Sequence, residues 1–334
     1  MAKMEVSELD IFYISYDEPN AEEHWADLLN KVPWAKRIHG VKGFDAAHKA
    51  AAEQSETDRF ITVDGDNIVM DDFFEQSLEI PDTDYDGNDI STSIFSWNAK
   101  NLLNGLVYGN GGLKCWPTEY TKTIRTHEAS DDAEGMEFCW KLNYIQLNDT
   151  FSEVHQTASP FQAFRAGFRE GVKMSLDQGK RVKPDQFEKS IWYGNYNRLQ
   201  TWCNIGSDVD NGLWAIYGAR LGCEMTVLSD WDTNQIADYD WFKDFFYQQV
   251  APEFAGSEIC RYTRLAWNPD RLRQAVCILG NRLNSEINSM MLFDPNPQMC
   301  KFFKKTFVNP KRWGVMIREK QIQELLEKGL IGNG

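Results

Sequence analysis

Hydrophobic positions in the first third of the chain switch between two periods. Asp10-Ile11-Phe12-Tyr13-Ile14-Ser15-Tyr16 crowds aromatic and β-branched residues into a short run, which predicts a strand. Glu18-Pro19-Asn20 breaks it, and Ala21–Val32 then carries Trp25, Leu28, Leu29 and Val32 at helical spacing. Gly40 and Gly43 bracket a turn before an Ala-rich helix over Phe44–Gln54. Arg59-Phe60-Ile61-Thr62-Val63 is a second buried-type strand, and it runs straight into Asp64-Gly65-Asp66. Strand, helix, helix, strand with short loops predicts crossover connections and an α/β fold with a mainly parallel sheet. Ligands of such sheets bind at the carboxyl ends of the strands, where the acidic motif falls.

Ser91–Trp97 reads as another strand and Gly105–Gly112 as a glycine-rich loop. From Phe161 the texture turns helical: Phe164–Leu176, Asp185–Ile191, Leu199–Cys203, Tyr239–Val250 and Pro269–Leu292. No repeat of fixed period and no low-complexity linker interrupts the chain. The expected organisation is a core over 1–160 and a mostly helical part over 161–334, meeting near Ser159-Pro160.

Composition sharpens this in two ways. The net charge is −15, but residues 1–160 hold 12 Lys and Arg against 30 Asp and Glu, while 161–334 hold 23 against 20. An acidic half is thus joined to a mildly basic one that can meet a polyanion, or simply to a neutral one. No apolar run reaches the length of a membrane span, and Met1 to Glu8 lacks the basic-then-apolar pattern of a secretory signal. The seven cysteines form no CxxC pair, so the expected setting is reduced, cytoplasmic and away from membranes.

Asp64 and Asp66 flank a residue without a Cβ, which lets backbone approach a ligand. Paired carboxylates at a strand end can hold Mg²⁺ or Mn²⁺, and such a cation neutralises a departing diphosphate. Acidic turn residues also cap helices, as Asp71-Asp72 before Phe73-Phe74 would do. Further on come Gly109-Asn110-Gly111-Gly112 followed by Trp116, then Asp131-Asp132 with Glu134, then His155. Each has an ordinary reading: a turn, a helix start capped by Ser130, a hydrogen-bonded histidine.

In this order over roughly residues 8–160, the elements resemble the nucleotide-binding half of glycosyltransferases of the GT-A fold. That resemblance implies a Rossmann-like core and a UDP-sugar donor. It makes Asp64, Asp66 and His155 the metal ligands, and Gly109, Asn110, Gly111, Gly112 and Trp116 the acceptor loop. Asp131, Asp132 or Glu134 would supply the base, unless the enzyme retains configuration and needs none. Arg37, Lys42, Asp45 and His48 stand where the family contacts the nucleotide, with Asp45 and His48 on one predicted helix face. Tyr16 and Asp17 stand where it often reads the base, and Gly65 completes the donor set.

Downstream, Arg165, Arg169 and Lys173 recur at four-residue steps, so one helical face is cationic while Phe161, Phe164 and Phe168 line another. Their expected role is contact with phosphate or DNA; a solvated outer face is the plain alternative. Lys180, Arg181, Lys183, Arg261, Arg264, Arg271, Arg273 and Lys301 through Arg312 interleave with Trp192, Tyr193, Tyr196, Trp202, Tyr262, Trp267, Phe302, Phe303 and Trp313. Basic groups contact phosphates and exposed aromatics stack unpaired bases. Phe161–Lys173 and Gly212–Arg220 resemble tailed-phage glycosyltransferases that modify 5-hydroxymethylcytosine. This resemblance implies transfer of glucose, arabinose or a similar sugar to hydroxymethylated double-stranded DNA in the host cytoplasm. Two alternatives stand beside it: a protein or polysaccharide acceptor, and a non-catalytic sugar-binding module.

Overall fold

The computed structural model describes residues 2–84, 86–109, 111–126, 143–256, 267–287, 289–307 and 319–331. The described residues up to His155 form one compact unit, and those from Gln156 onward form a second. The fold is mixed α/β.

The first unit opens on β1 (Asp10–Ser15), α1 (Ala21–Lys31), β2 (Lys36–His39), α2 (Phe44–Gln54) and β3 (Arg59–Asp64), as the hydrophobic pattern predicts. Alternate residues of its strands feed two cores, because successive side chains leave opposite faces. Ile11, Tyr13, Ile61 and Val63 meet Leu28 of α1 on one face. Phe12 and Phe60 meet Ala47, Ala51 and Ala52 of α2 on the other. Small alanines bring α2 close to the sheet, so Phe12 and Phe60 fill the gap edge to face with centroids 5.5 Å apart.

The sheet continues through β4 (Asn67–Val69), β5 (Ile94–Asn101), β6 (Val107–Tyr108), β7 (Lys114–Pro117) and β8 (Tyr144–Val154). Its order is β2-β1-β3-β7-β5-β8-β4, with β6 on β5. Three pairs are parallel, β1 with β2, β1 with β3, and β5 with β8. The pairs β3–β7, β5–β7, β4–β8 and β5–β6 are antiparallel. The sheet is therefore mixed rather than mainly parallel. The difference arises at β7, which inserts between β3 and β5 in the opposite sense to both, and at β4 and β6, which run against β8 and β5.

In the second unit the described residues are mostly helical. The main helices are α3 (Pro160–Lys173), α4 (Tyr193–Asn204), α5 (Gly212–Leu228) and α6 (Pro269–Glu286). Ser159 caps α3 by accepting from the Gln162 amide, and Pro160 occupies the first turn, where its missing N–H costs nothing. α3 and α5 pack backbone to backbone. A Cβ on Gly167 or Gly171 would overlap the carbonyls of Ala215 and Ala219, and one on Gly218 or Gly222 those of Phe164 and Phe168.

Candidate functional site around Asp64, Asp66 and the glycine loop

β1, β2 and β3 run parallel, so Ser15, His39 and Asp64 end on the same edge of the sheet, with Ser15 opposite His39 and Ile14 opposite Asp64. The turn after β3 is fixed from below. Tyr13 Oη donates to the Gly65 carbonyl at 2.8 Å, and His24 Nδ1 lies 3.1 Å from the same oxygen. Glu18, in the segment following β1, accepts from the Tyr16 amide at 2.8 Å. A Cβ on Gly65 would stand 2.7 Å from Glu18 Oε2, so a third carboxylate is packed against the Asp64-Gly65-Asp66 turn.

The glycine loop closes over this turn. A Cβ on Gly112 would overlap the Asp64 carboxylate, so only glycine lets the backbone lie there. Asn67 ties the two segments together: its amide donates to Asp66 Oδ1 at 2.7 Å and its Oδ1 accepts from the Gly112 N–H at 3.2 Å. Lys114, buried at the start of β7, donates to the Gly111 carbonyl at 2.8 Å and stands 3.9 Å from Asp64 Oδ2. Gly109 and Gly111 are equally close-packed, against Gln146 and the Ala99 methyl. At the end of β8 the His155 N–H donates to the Asp66 carbonyl at 2.7 Å, and Asn20 donates to the His155 carbonyl at 2.9 Å.

Charge is concentrated here. Burial pushes the Asp64 carboxyl up to about 6; Lys114 opposes this, and repulsion from Asp66 and Glu18 adds to it. The Asp64 side chain keeps 40% of its surface open. The shift therefore reflects a carboxyl crowded by protein and like charge, not one sealed from water. Glu153 moves the other way, held at about 2 first by its hydrogen bond to His155 and then by Lys100. Burial, with His155 second, pushes the His24 imidazole below its ordinary value.

Asp64 and Asp66 offer hard oxygen ligands of the kind Mg²⁺ takes together with substrate phosphates, and a divalent cation would relieve their mutual repulsion. His155 is tied to Asp66 through its backbone. Its Nε2 faces Glu153 Oε2 at 3.4 Å, and its ring meets His24 edge to face at 5.3 Å. Among the described residues no three His, Cys, Asp or Glu side chains are arranged to hold a metal ion. Two carboxylates would leave most of a cation's coordination to a phosphate ligand and water.

The other expected site residues scatter. Tyr16 and Asp17 are exposed beside the turn. Arg37 forks onto Glu22 at 2.7 and 3.0 Å and donates from Nε to Ser15 Oγ at 3.1 Å, close to the strand ends. Lys42 is exposed. Asp45 is buried and accepts from the Thr126 amide at 2.9 Å and from the Thr126 hydroxyl, which makes it an anchor for that segment. His48 is buried against Phe44 and Trp116, with Nδ1 donating to the Phe44 carbonyl at 2.8 Å; burial pushes its pKa down to about 3. Trp116 is also core, its indole N–H donating to Thr62 Oγ1 at 2.8 Å. A nucleotide has no access to His48, nor an acceptor to Trp116. Asn110, Asp131, Asp132 and Glu134 lie outside the described residues.

On α3, Arg165 lies over Tyr239 and Phe242 at 5.0 and 5.5 Å, and Lys173 pairs with Glu170 at 2.6 Å. These contacts, with Arg169 half-buried, make the face part of the packing rather than an open cationic stripe. Glu18, Asn67 and Lys114 were missed from the sequence. Glu18 directly follows two residues that were singled out, and Lys114 follows the glycine loop, so adjacency was the available signal. No family model, no curated protein and no solved structure matches the chain.

Proposed function

We propose that the chain is a metal-dependent glycosyltransferase that uses a nucleotide-sugar donor, with a UDP-sugar as the first to test. The observation that carries this reading is the crowding of Asp64, Asp66 and Glu18 at parallel strand ends under a glycine loop closed onto Asp64. Asp64 and Asp66 would hold Mg²⁺ or Mn²⁺, which neutralises charge on the departing diphosphate. Lys114 and Asn67 hold the two carboxylates in place against the loop, and the Gly111–Gly112 backbone keeps bulk away from the reacting sugar. In the transfer, the bond from the sugar C1 to the diphosphate breaks, a bond from C1 to the acceptor oxygen forms, and the hydroxyl proton leaves to a base.

Purified protein incubated with Mn²⁺ and a panel of UDP-sugars should release UDP, and Asp66→Ala should lower that release at least about 100-fold while the fold is kept. Equal release with and without metal, or an unimpaired Asp66→Ala, would reject the assignment. His155→Ala should change metal dependence little, because its imidazole faces Glu153 and His24. The acceptor we propose, the hydroxymethyl oxygen of 5-hydroxymethylcytosine in DNA, rests on the resemblance of 161–173 and 212–220. A sugar-sized mass gain on that nucleoside tests it.

A further inference from the structure

Most aromatics that interleave with basic residues in the second unit are committed to packing. Tyr196, Trp202 and Phe303 are buried, Trp267 meets Trp214 edge to face, and Phe302 meets Phe307 and Lys328. Trp192 and Tyr193, at the start of α4, are 56% and 57% exposed. Trp192 is nonetheless held in place. A Cβ on Gly194 would overlap its ring, so the glycine lets the indole lie on the backbone, and the Arg198 guanidinium sits 5.3 Å from the ring centroid. Gly194 and Arg198 are four residues apart and share a helix face. The indole is thus held by a glycine and a guanidinium while more than half of its surface stays exposed.

We propose that Trp192, with Tyr193 and Arg198, is a stacking platform for an unpaired base of a nucleic-acid strand. A large aromatic seated on a glycine and backed by a cation loses little freedom on binding, and every base offers a flat face to it. Charge selects the occupant. Residues 180–200 hold five Lys and Arg against two Asp and Glu, in a chain of net charge −15. The first turn of α4 carries no acid of its own, with Glu188 outside it close enough to act on Tyr196. A platform for a neutral sugar would need no such excess of cations. The proposal deepens the acceptor side of the reading above and rests on its nucleic-acid partner.

The test is fluorescence anisotropy of a labelled single-stranded 12-nucleotide DNA, with heparin as a polyanion lacking bases and no nucleotide sugar present. Trp192→Ala should weaken the oligonucleotide about 10-fold, as loss of one stacked base does, and leave heparin binding unchanged. Arg198→Gln should weaken both and lower the salt slope by about one. Trp192 is exposed and Arg198 half-buried, and circular dichroism checks that each variant folds. An unchanged oligonucleotide affinity in Trp192→Ala, no binding by the wild type, or Trp192-dependent binding of oligosaccharides instead would each overturn the platform. Because donor chemistry is absent from the assay, failure here is distinct from failure of the transferase reading.

Discussion

The glycine loop over Asp64 and the α3–α5 helix pair use the same missing atom for opposite ends. At Gly112 the absent Cβ leaves room for the Asp64 side chain, whose Cβ and carboxylate would both be overlapped by a methyl there, at a strand end partly open to solvent. At Gly167 and Gly218 it leaves room for carbonyls of a neighbouring helix, which cannot turn without moving the helix. A glycine-rich segment in a sequence is therefore ambiguous between site and scaffold, and what faces the glycine decides. The stretches 161–173 and 212–220, distinctive in the sequence, are in the structure two helices fitted to each other.

Replacing Gly167 should expose that difference most strongly. Gly167→Val forces α3 off α5 and should cost more than about 3 kcal/mol or abolish folding, read by urea denaturation. Gly112→Ala should remove most donor hydrolysis, because the methyl displaces the Asp64 Cβ and carboxylate together, and should cost less stability than Gly167→Val, since a strand-end turn rather than a packed helix must shift. If Gly112→Ala unfolded the protein while Gly167→Val did not, the division between site and scaffold would be reversed.

A second scaffold contact has a nearly comparable effect. Arg220, on α5, is fully buried and donates to the carbonyls of Cys203, Val276 and Phe293 at 2.8, 2.6 and 2.6 Å. Burial lowers its pKa to about 10, and the guanidinium stays charged at neutral pH. Arg220→Ala leaves those carbonyls facing a cavity and should cost about 3 kcal/mol in the same titration. Gly280→Ala, whose methyl would overlap the Arg220 guanidinium, should mimic part of that loss.

Legibility divides along the same line. β1, α1, α2 and β3 were readable because each buries one stripe or a full apolar run, and period alone reports that. α5 was not, because it is buried nearly all round and so lacks an amphipathic stripe. β8 was missed because Gln146, Asn148 and Asp149 dilute its apolar residues, and β7 because Lys114 is buried within it. Without β7, β4 and β6 the sheet's mixed sense has no sign in the sequence. At the site, Asp64 and Asp66 were legible as a local motif. Their partners Glu18, Asn67 and Lys114 arrive from separate strands, and only pairing in space reveals them. His48 and Trp116, expected at a ligand, lie instead on α2 and β7 with their rings 4.5 Å apart in the core, a burial that only the pairing of helix and strand in space reveals.

That buried pair yields the mildest prediction. His48 has a folded pKa near 3 against about 6.5 for a free imidazole, so the unfolded chain binds the extra proton first. Its neutral form is fully compatible with the fold above pH about 6.5, and stability falls as the pH drops from there towards 3. Between pH 6.5 and 5 the loss should approach about 2 kcal/mol. His48→Leu keeps an apolar side chain of similar size beside Phe44 and Trp116, and should flatten this part of the pH–stability curve while costing some stability at pH 7. A slope that persisted in full in His48→Leu would move the acid sensitivity to His24, the other imidazole whose pKa burial lowers.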